Sequence, residues 1–77
     1  MRTFRYNQRI TITDAQHPLR SQHGTVRKLQ ISSKRAWVAM EVELPEALRS
    51  FPAGDTRQRW LLLEPGQCEA VKEKGAK

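Results

Sequence analysis

The sequence contains two histidines and one cysteine, the side chains best suited to bind a transition metal or to activate a nucleophile. His17 and His23 are six positions apart, and Cys68 lies far along the chain. Structural zinc sites usually draw their ligands from pairs separated by about two to five residues, and this spacing matches none of them. We therefore expect no metal site and no cofactor, and the lone cysteine excludes an internal disulfide.

Glu41 and Glu43 are the candidate carboxylate pair for acid and base catalysis. Alternate residues of a strand share a face, so their side chains would lie on the same side of the sheet. Small β domains commonly expose such residues to water, however. The sequence has no glycine-rich phosphate loop and no metalloprotease motif. A chain of 77 residues also has little volume for an enclosed ligand cavity. We expect a protein without catalytic residues and without a small-molecule substrate.

Basic side chains dominate the first half of the sequence. Residues 1–35 carry eight lysines and arginines against one acidic residue, Asp14, in a chain whose net charge is +6. Clustered cations bind the phosphates of nucleic acids by releasing counterions, although small domains also carry surface charge for solubility. The candidate phosphate-binding residues lie in two neighbouring segments and on the first predicted strand: Arg27, Lys28, Lys34, Arg35 and Arg9.

The two tryptophans have different expected roles. Trp37 alternates with Val38 in an apolar segment, so it points away from the core if Val38 points into it. In that position it can stack on a nucleic-acid base, which is worth about 1–3 kcal/mol per base, or anchor a protein partner. Trp60 precedes three leucines at positions 61–63 and is expected in the core.

Alternation of apolar and polar residues, together with the turn residues between the segments, predicts five short β-strands and no helix longer than two turns. The predicted strands span residues 8–13, 25–31, 36–44, 56–63 and 68–71. The second strand breaks strict alternation by one residue, which predicts a β-bulge near Lys28. The expected core residues are Ile10, Val38, Met40, Val42 and Leu62.

The connections between these strands indicate the kind of domain that they form. An irregular loop spans residues 14–24, a hairpin break lies at 32–35, and single helical or 3₁₀ turns are expected at 45–49 and 64–67. Short strands joined in this way predict an all-β fold, a small five-stranded barrel over residues 1–71. Residues 72–77 contain no large apolar side chain and are expected to form a solvated basic tail.

This succession of strands, with a long first loop and a 3₁₀ turn before the last strand, is similar to that of SH3-like barrels. Two motifs in the sequence resemble those of the KOW-type version of that barrel. They are His23-Gly24-Thr25-Val26 in the second strand and Met40-Glu41-Val42-Glu43 at the end of the third. The resemblance implies a five-stranded SH3-like barrel, and KOW modules typically bind RNA or RNA-associated proteins.

The charge and the resemblance together favour a non-catalytic accessory module that binds RNA or DNA through its basic face. The alternative is a protein-interaction module or small subunit that docks an acidic protein, because SH3-like barrels serve both uses. No apolar stretch approaches the roughly 20 residues that span a bilayer, so no membrane partner is expected. The single cysteine and the absence of a signal-peptide pattern predict a cytoplasmic location.

Overall fold

Five β-strands form one antiparallel sheet in the computed structural model of the chain, which describes residues 3–32 and 34–71. Along the chain they are β1 (Arg9–Ile12), β2 (His23–Leu29), β3 (Ala36–Met40), β4 (Trp60–Leu63) and β5 (Cys68–Ala70). Their order across the sheet is β4-β3-β2-β1-β5. The prediction of an all-β domain with five strands is therefore confirmed.

The sheet does not close into the barrel that the sequence predicts. β4 and β5 lie at its opposite edges, and no strand pairing joins them in the described part of the chain. Local turns occupy backbone donors next to β4. Trp60 N–H donates to Arg57 O at 3.0 Å, and Glu64 N–H donates to Gln67 Oε1 at 3.0 Å. An edge whose donors are already bonded is a poor template for another strand, which favours an open sheet.

The hairpin formed by β2 and β3 contains the predicted β-bulge. Cα partners run in register as far as Val26↔Val38 and then shift by one residue to Lys28↔Trp37. The extra residue in β2 is Arg27, so Lys28 points to the same side of the sheet as Trp37. The expectation of a bulge near Lys28 is confirmed.

β3 and β4 are shorter than the apolar alternation predicts. β3 ends at Met40 instead of residue 44, and β4 begins at Trp60 instead of residue 56. Turns replace the missing part of β4. Asp55 Oδ1 accepts a hydrogen bond from Arg57 N–H at 2.8 Å, and Gln58 N–H donates to Asp55 O at 3.1 Å. An Asp side chain that bonds to the backbone after it competes with strand pairing.

The core lies on one face of the sheet. Ile10, Val38 and Met40 are buried, as predicted, whereas Val42 is half-buried and packs against the core from beyond the end of β3. All five strands contribute at least one buried residue, so one core holds the sheet together. The buried apolar residues in the described part of the chain are Phe4, Ile10, Ile12, Leu19, Val26, Ala36, Val38, Met40, Leu44, Leu61, Leu63 and Cys68.

The face of β4 that enters the core differs from the prediction. Leu61 and Leu63 are buried, while Trp60 and Leu62 lie half-buried on the other face. The expectation that Trp60 and Leu62 belong to the core is therefore wrong. Because β4 is apolar on both faces, alternation does not choose between them. The pairing with β3 does, since it places Leu61 opposite the buried Val38.

The connection between β1 and β2 is held by its own hydrogen bonds. His17 Nδ1 accepts a hydrogen bond from Leu19 N–H at 3.0 Å, and Asp14 Oδ1 accepts one from Gln16 N–H at 3.0 Å. Leu19 is buried in the core. The loop therefore covers part of the core, and His17 has a local structural role within it.

Helical structure in the described residues consists of two 3₁₀ turns, Glu46–Leu48 and Pro65–Gln67, at the positions that the sequence predicts. Each is a single turn that connects neighbouring segments. No helix in this part of the chain is long and apolar enough to cross a membrane. The predicted tail, residues 72–77, lies outside the described residues.

Candidate nucleic-acid interface

The face of the sheet opposite the core, which we call the outer face, carries the side chains with binding chemistry. β3 contributes Trp37 and Ala39, whose partners on β4 are Leu62 and Trp60. β2 places Lys28 beside Trp37. Because the side chains of paired residues lie next to each other on one face, a cation and two indoles share this surface.

An aromatic cluster covers the part of the outer face formed by β3 and β4; its members are Trp37, Phe51, Trp60 and Arg57. The ring centre of Phe51 lies 5.4 Å from that of Trp37 and 6.2 Å from that of Trp60. The interplanar angles of 59° and 82° are those of tilted and edge-to-face pairs, which the charge distribution of aromatic rings favours. All three rings belong to half-buried residues, so the cluster remains partly open to a ligand.

Arg57 and Asp55 anchor the aromatic cluster. The guanidinium carbon of Arg57 lies 4.3 Å from the centre of the Phe51 ring, in a cation–π contact. Arg57 also donates hydrogen bonds to both carboxylate oxygens of Asp55, at 3.0 and 2.9 Å. These bonds lower the pKa of Asp55 below its ordinary value. The charge of Arg57 is therefore paired with Asp55 within the protein.

The β2–β3 hairpin brings three of the predicted phosphate-binding residues to one end of the sheet, and we call them the hairpin cations. Arg27 lies in the bulge, Lys28 is the partner of Trp37, and Lys34 lies in the turn with a φ of 60°. All three are exposed. None of them has a side-chain partner among the described residues. Their charges are available to an anionic ligand.

Two further predicted site residues, Arg35 and Arg9, already have acidic partners. Arg35 Nη2 lies 3.2 Å from Glu64 Oε2. Arg9 donates two hydrogen bonds to the carboxylate of Glu41, at 2.9 and 3.0 Å, and lies on β1 outside the hairpin. The bonds from Arg9 lower the pKa of Glu41. Both arginines are therefore ion-paired, in contrast to the hairpin cations.

The histidines and the cysteine do not form a metal-binding group in the described residues. No group of three His, Cys, Asp or Glu side chains in this part of the chain could hold a metal ion. His23 Nδ1 is hydrogen-bonded to Thr11 Oγ1 at 2.7 Å. Cys68 is buried, and burial raises the pKa of its thiol to about 11. Such a thiol is protonated at neutral pH and is a poor nucleophile.

Phe51 is a residue of this surface that the sequence analysis does not identify. It opens a turn-rich segment, residues 51–55, that alternation assigns to no strand. A large aromatic side chain outside any strand needs an apolar surface to pack against. The outward-facing Trp37 provides such a surface. An aromatic residue in a turn, together with an outward-facing tryptophan, is therefore the sequence feature that could have identified Phe51.

Comparisons with known proteins yield no relative of this chain. No protein-family model matches it, and no significant match was found among curated proteins or among solved structures. The functional interpretation therefore rests on the outer face itself, where open cations and accessible aromatic rings lie side by side.

Proposed function

We propose that this protein is a non-catalytic module that binds single-stranded nucleic acid across the outer face of its sheet. The observation that carries the proposal is the position of the hairpin cations beside the aromatic cluster. Lys28 is exposed and is the cross-strand partner of Trp37. Cations neutralise phosphates and aromatic rings stack on bases, so one surface offers both contacts that a nucleotide needs.

A single strand fits this surface better than a duplex does. The bases of a duplex are stacked on one another, whereas a single strand can present a base face to Trp37 or Trp60. Duplex DNA is commonly read by a helix in the major groove. The described residues offer only two 3₁₀ turns of three residues each. The outer face therefore favours an unpaired strand as the ligand.

We further propose that the fold is an open variant of the SH3-like type and that the module acts in the cytoplasm. The order of strands, the long first connection and the 3₁₀ turn directly before β5 support the first part. The two KOW-like motifs meet in the β2–β3 hairpin, where Gly24 is paired with Met40. The location follows from the sequence prediction alone.

The test measures how affinity for a labelled single-stranded oligonucleotide depends on salt. Lys28→Ala and Lys34→Ala should each weaken binding and reduce the slope of log affinity against log salt by about 0.7, the value for one phosphate contact on a single strand. Trp37→Leu should weaken binding with little change in slope, because stacking releases no counterions. Arg20→Ala is the matched control, since Arg20 is an exposed cation in the β1–β2 loop.

Two results would contradict this proposal. Equal salt slopes for the wild type, Lys28→Ala and Arg20→Ala would show that the hairpin cations make no phosphate contact. A wild-type dissociation constant weaker than about 0.1 mM at physiological salt, the weak end of ordinary non-specific binding, would exclude nucleic acid as the ligand.

An apolar surface at the hairpin end of the sheet favours a second candidate function, docking of an acidic protein. The large apolar side chains exposed in the described residues are Tyr6, Leu29 and Ile31, and Ile31 is 95% exposed. Asn7 N–H donates to Val26 O at 2.9 Å, which places the segment of Tyr6 beside β2 and near the hairpin cations. An exposed isoleucine adds nothing to phosphate binding, but it can anchor a partner that has an apolar pocket and an acidic rim.

Affinity purification with and without nuclease separates the two candidate functions. A protein that docks on this surface should stay bound after nuclease treatment and dissociate when the salt concentration rises. It should be lost from the Ile31→Ser variant and retained by Arg20→Ala. Release of all bound protein by nuclease, or equal retention by Ile31→Ser, would rule out this docking surface.

A further inference from the structure

A groove opens at the end of the sheet that lies opposite the hairpin turn, between the end of β3, the start of β4 and the segment that connects them. Its volume is about 290 Å³. We call it the terminal groove. The polar and aromatic side chains in its lining are Glu43, Arg49, Asp55, Thr56, Gln58, Arg59 and Trp60.

Two arginines supply the positive charge of the terminal groove. Arg49 Nε donates to the carbonyl oxygen of Leu44 at 2.9 Å, which positions its guanidinium group at the groove wall. Arg59 is exposed and has no side-chain partner among the described residues. Guanidinium groups bind phosphate oxygens well because their N–H donors form a planar fork. Both arginines line the groove and can bind a phosphate there.

The two carboxylates in the lining do not cancel this charge. Both oxygens of Asp55 accept hydrogen bonds from Arg57, which is outside the lining, so Asp55 is already neutralised. Only Glu43 remains to repel an anion. A phosphate in the groove is therefore expected at the arginines and away from Glu43.

The aromatic cluster connects the terminal groove with the hairpin cations. Trp60 belongs to both the cluster and the groove, and Phe51 joins it to Trp37. Met40 N–H donates to Arg59 O at 2.9 Å, so Arg59 lies beside the last residue of β3. Trp37 is three positions earlier on that strand, about 10 Å away at a rise of 3.3 Å per residue. Cations thus lie near both ends of the β3–β4 pair, and aromatic rings lie between them.

We propose that the terminal groove holds one nucleotide of the bound strand, with its base against Trp60 and its phosphate between Arg49 and Arg59. This inference rests on the proposed function, and it adds a further phosphate contact and a path for the strand. The strand crosses the outer face along β3 and β4, from the hairpin cations to the groove. A free phosphate ion would use the arginines alone, whereas a nucleotide also uses the ring of Trp60.

The test uses the Trp37→Phe protein, which keeps an aromatic ring in the cluster and leaves Trp60 as its single tryptophan, since the chain has two. A single-stranded oligonucleotide should quench the fluorescence of Trp60 in this protein. Adding Arg59→Ala should raise the concentration for half-maximal quenching at least about threefold and lower the salt slope by about 0.7, because one phosphate contact is lost. Adding Arg20→Ala, which removes the same charge outside the groove, should change neither quantity. Far-UV circular dichroism confirms that each variant is folded.

A competition experiment with small ligands distinguishes a nucleotide site from an anion site. Adenosine monophosphate should lower the fluorescence anisotropy of a labelled oligonucleotide bound to the protein at concentrations where inorganic phosphate does not. Equal competition by inorganic phosphate would overturn the proposal, because the groove would then recognise the anion alone.

The variants also separate this inference from the proposed function. If Arg59→Ala binds as the wild type does while Lys28→Ala binds more weakly, the groove holds no nucleotide and the proposed function stands. If the wild type binds no oligonucleotide, both proposals are wrong. Weakening by both Arg59→Ala and Lys28→Ala, with Trp60 quenched, supports both.

Discussion

At the scale of single residues, the ion pair between Arg9 and Glu41 makes stability depend on pH. Hydrogen bonds from Arg9 lower the pKa of Glu41 in the folded protein. A carboxylate of this kind stabilises the fold above its ordinary pKa, and the contribution is lost as the pH falls through the lowered value. The free energy of unfolding of the wild type should exceed that of Arg9→Ala at neutral pH, and the difference should shrink as Glu41 becomes protonated. Urea denaturation at several pH values measures this difference.

The control for the Arg9 prediction is Arg20→Ala, which removes an exposed arginine of the β1–β2 loop. This variant should show no such pH-dependent difference from the wild type. A difference between Arg9→Ala and the wild type that stays constant down to acid pH would mean that Arg9 stabilises the fold by packing instead of by its charge.

Burial of Cys68 leads to a second prediction at this scale. Its thiol pKa is raised to about 11, so a disulfide reagent should modify the native protein far more slowly than the urea-unfolded protein at mildly alkaline pH. An acid whose folded pKa is raised contributes stability below its ordinary pKa and loses it as the pH rises through the folded value. The wild type should therefore lose stability between about pH 9 and about pH 11. Cys68→Ala should lose less over the same range, and rapid modification of the native thiol would contradict the prediction.

At the scale of elements, Gly24 allows β2 and β3 to lie close together on the core side. A Cβ atom at this position would meet Val38 Cγ1 at 2.5 Å, Met40 Sδ at 2.8 Å and Ala39 O at 3.0 Å. Gly24→Ala should therefore lower the free energy of unfolding by about 1–3 kcal/mol, the usual cost of overpacking. Chemical denaturation measures the change. Gly66→Ala is the control, because nothing lies within 4 Å of the added atom, and an equal loss in both variants would contradict the steric explanation.

The orientation of β4 predicts which of its leucines contributes more to stability. Leu63 is buried and Leu62 is half-buried on the outer face. Leu63→Ala should cost about 2–5 kcal/mol through lost burial and the cavity that remains. Leu62→Ala should cost clearly less, since part of its side chain already contacts water. Thermal and urea unfolding of the two variants make the comparison, and the reverse order would mean that β4 presents its other face to the core.

At the scale of the whole molecule, the net charge of +6 should make the protein more stable when salt is added. The ion pairs of the described residues join Arg9 to Glu41, Arg35 to Glu64 and Arg57 to Asp55, all near the surface. Exposed pairs contribute little, whereas mutual repulsion among the remaining cations acts over a longer range. The melting temperature should rise between about 0.01 M and about 0.15 M NaCl, as the Debye length falls from about 30 Å to about 8 Å.

A variant with one fewer hairpin cation tests the source of this salt effect. Lys34→Gln should show a smaller rise in melting temperature than the wild type, because less repulsion remains to be screened. A melting temperature that falls as salt is added would show that the ion pairs outweigh the repulsion.

Much of the fold could be predicted from local patterns. Period-two alternation indicated the first, third and fourth strands, the one-residue break near Lys28 indicated the bulge in the second, and the length of residues 68–71 allowed the fifth. Pro45 and Pro65 marked the two 3₁₀ turns. These features depend on residues close together in the sequence, where backbone geometry and side-chain alternation act directly.

The sequence by itself determined the number of strands, their order along the chain, the bulge and the excess of cations in the hairpin, because each depends on neighbouring residues. The tertiary structure alone decided which face of β4 enters the core, that the sheet stays open, and that Phe51 lies between Trp37 and Trp60. It also decided that Arg9 and Arg35 are paired while the hairpin cations are open. The physical reason is that these features depend on strand register and on contacts between residues far apart in the chain, about which local alternation carries no information.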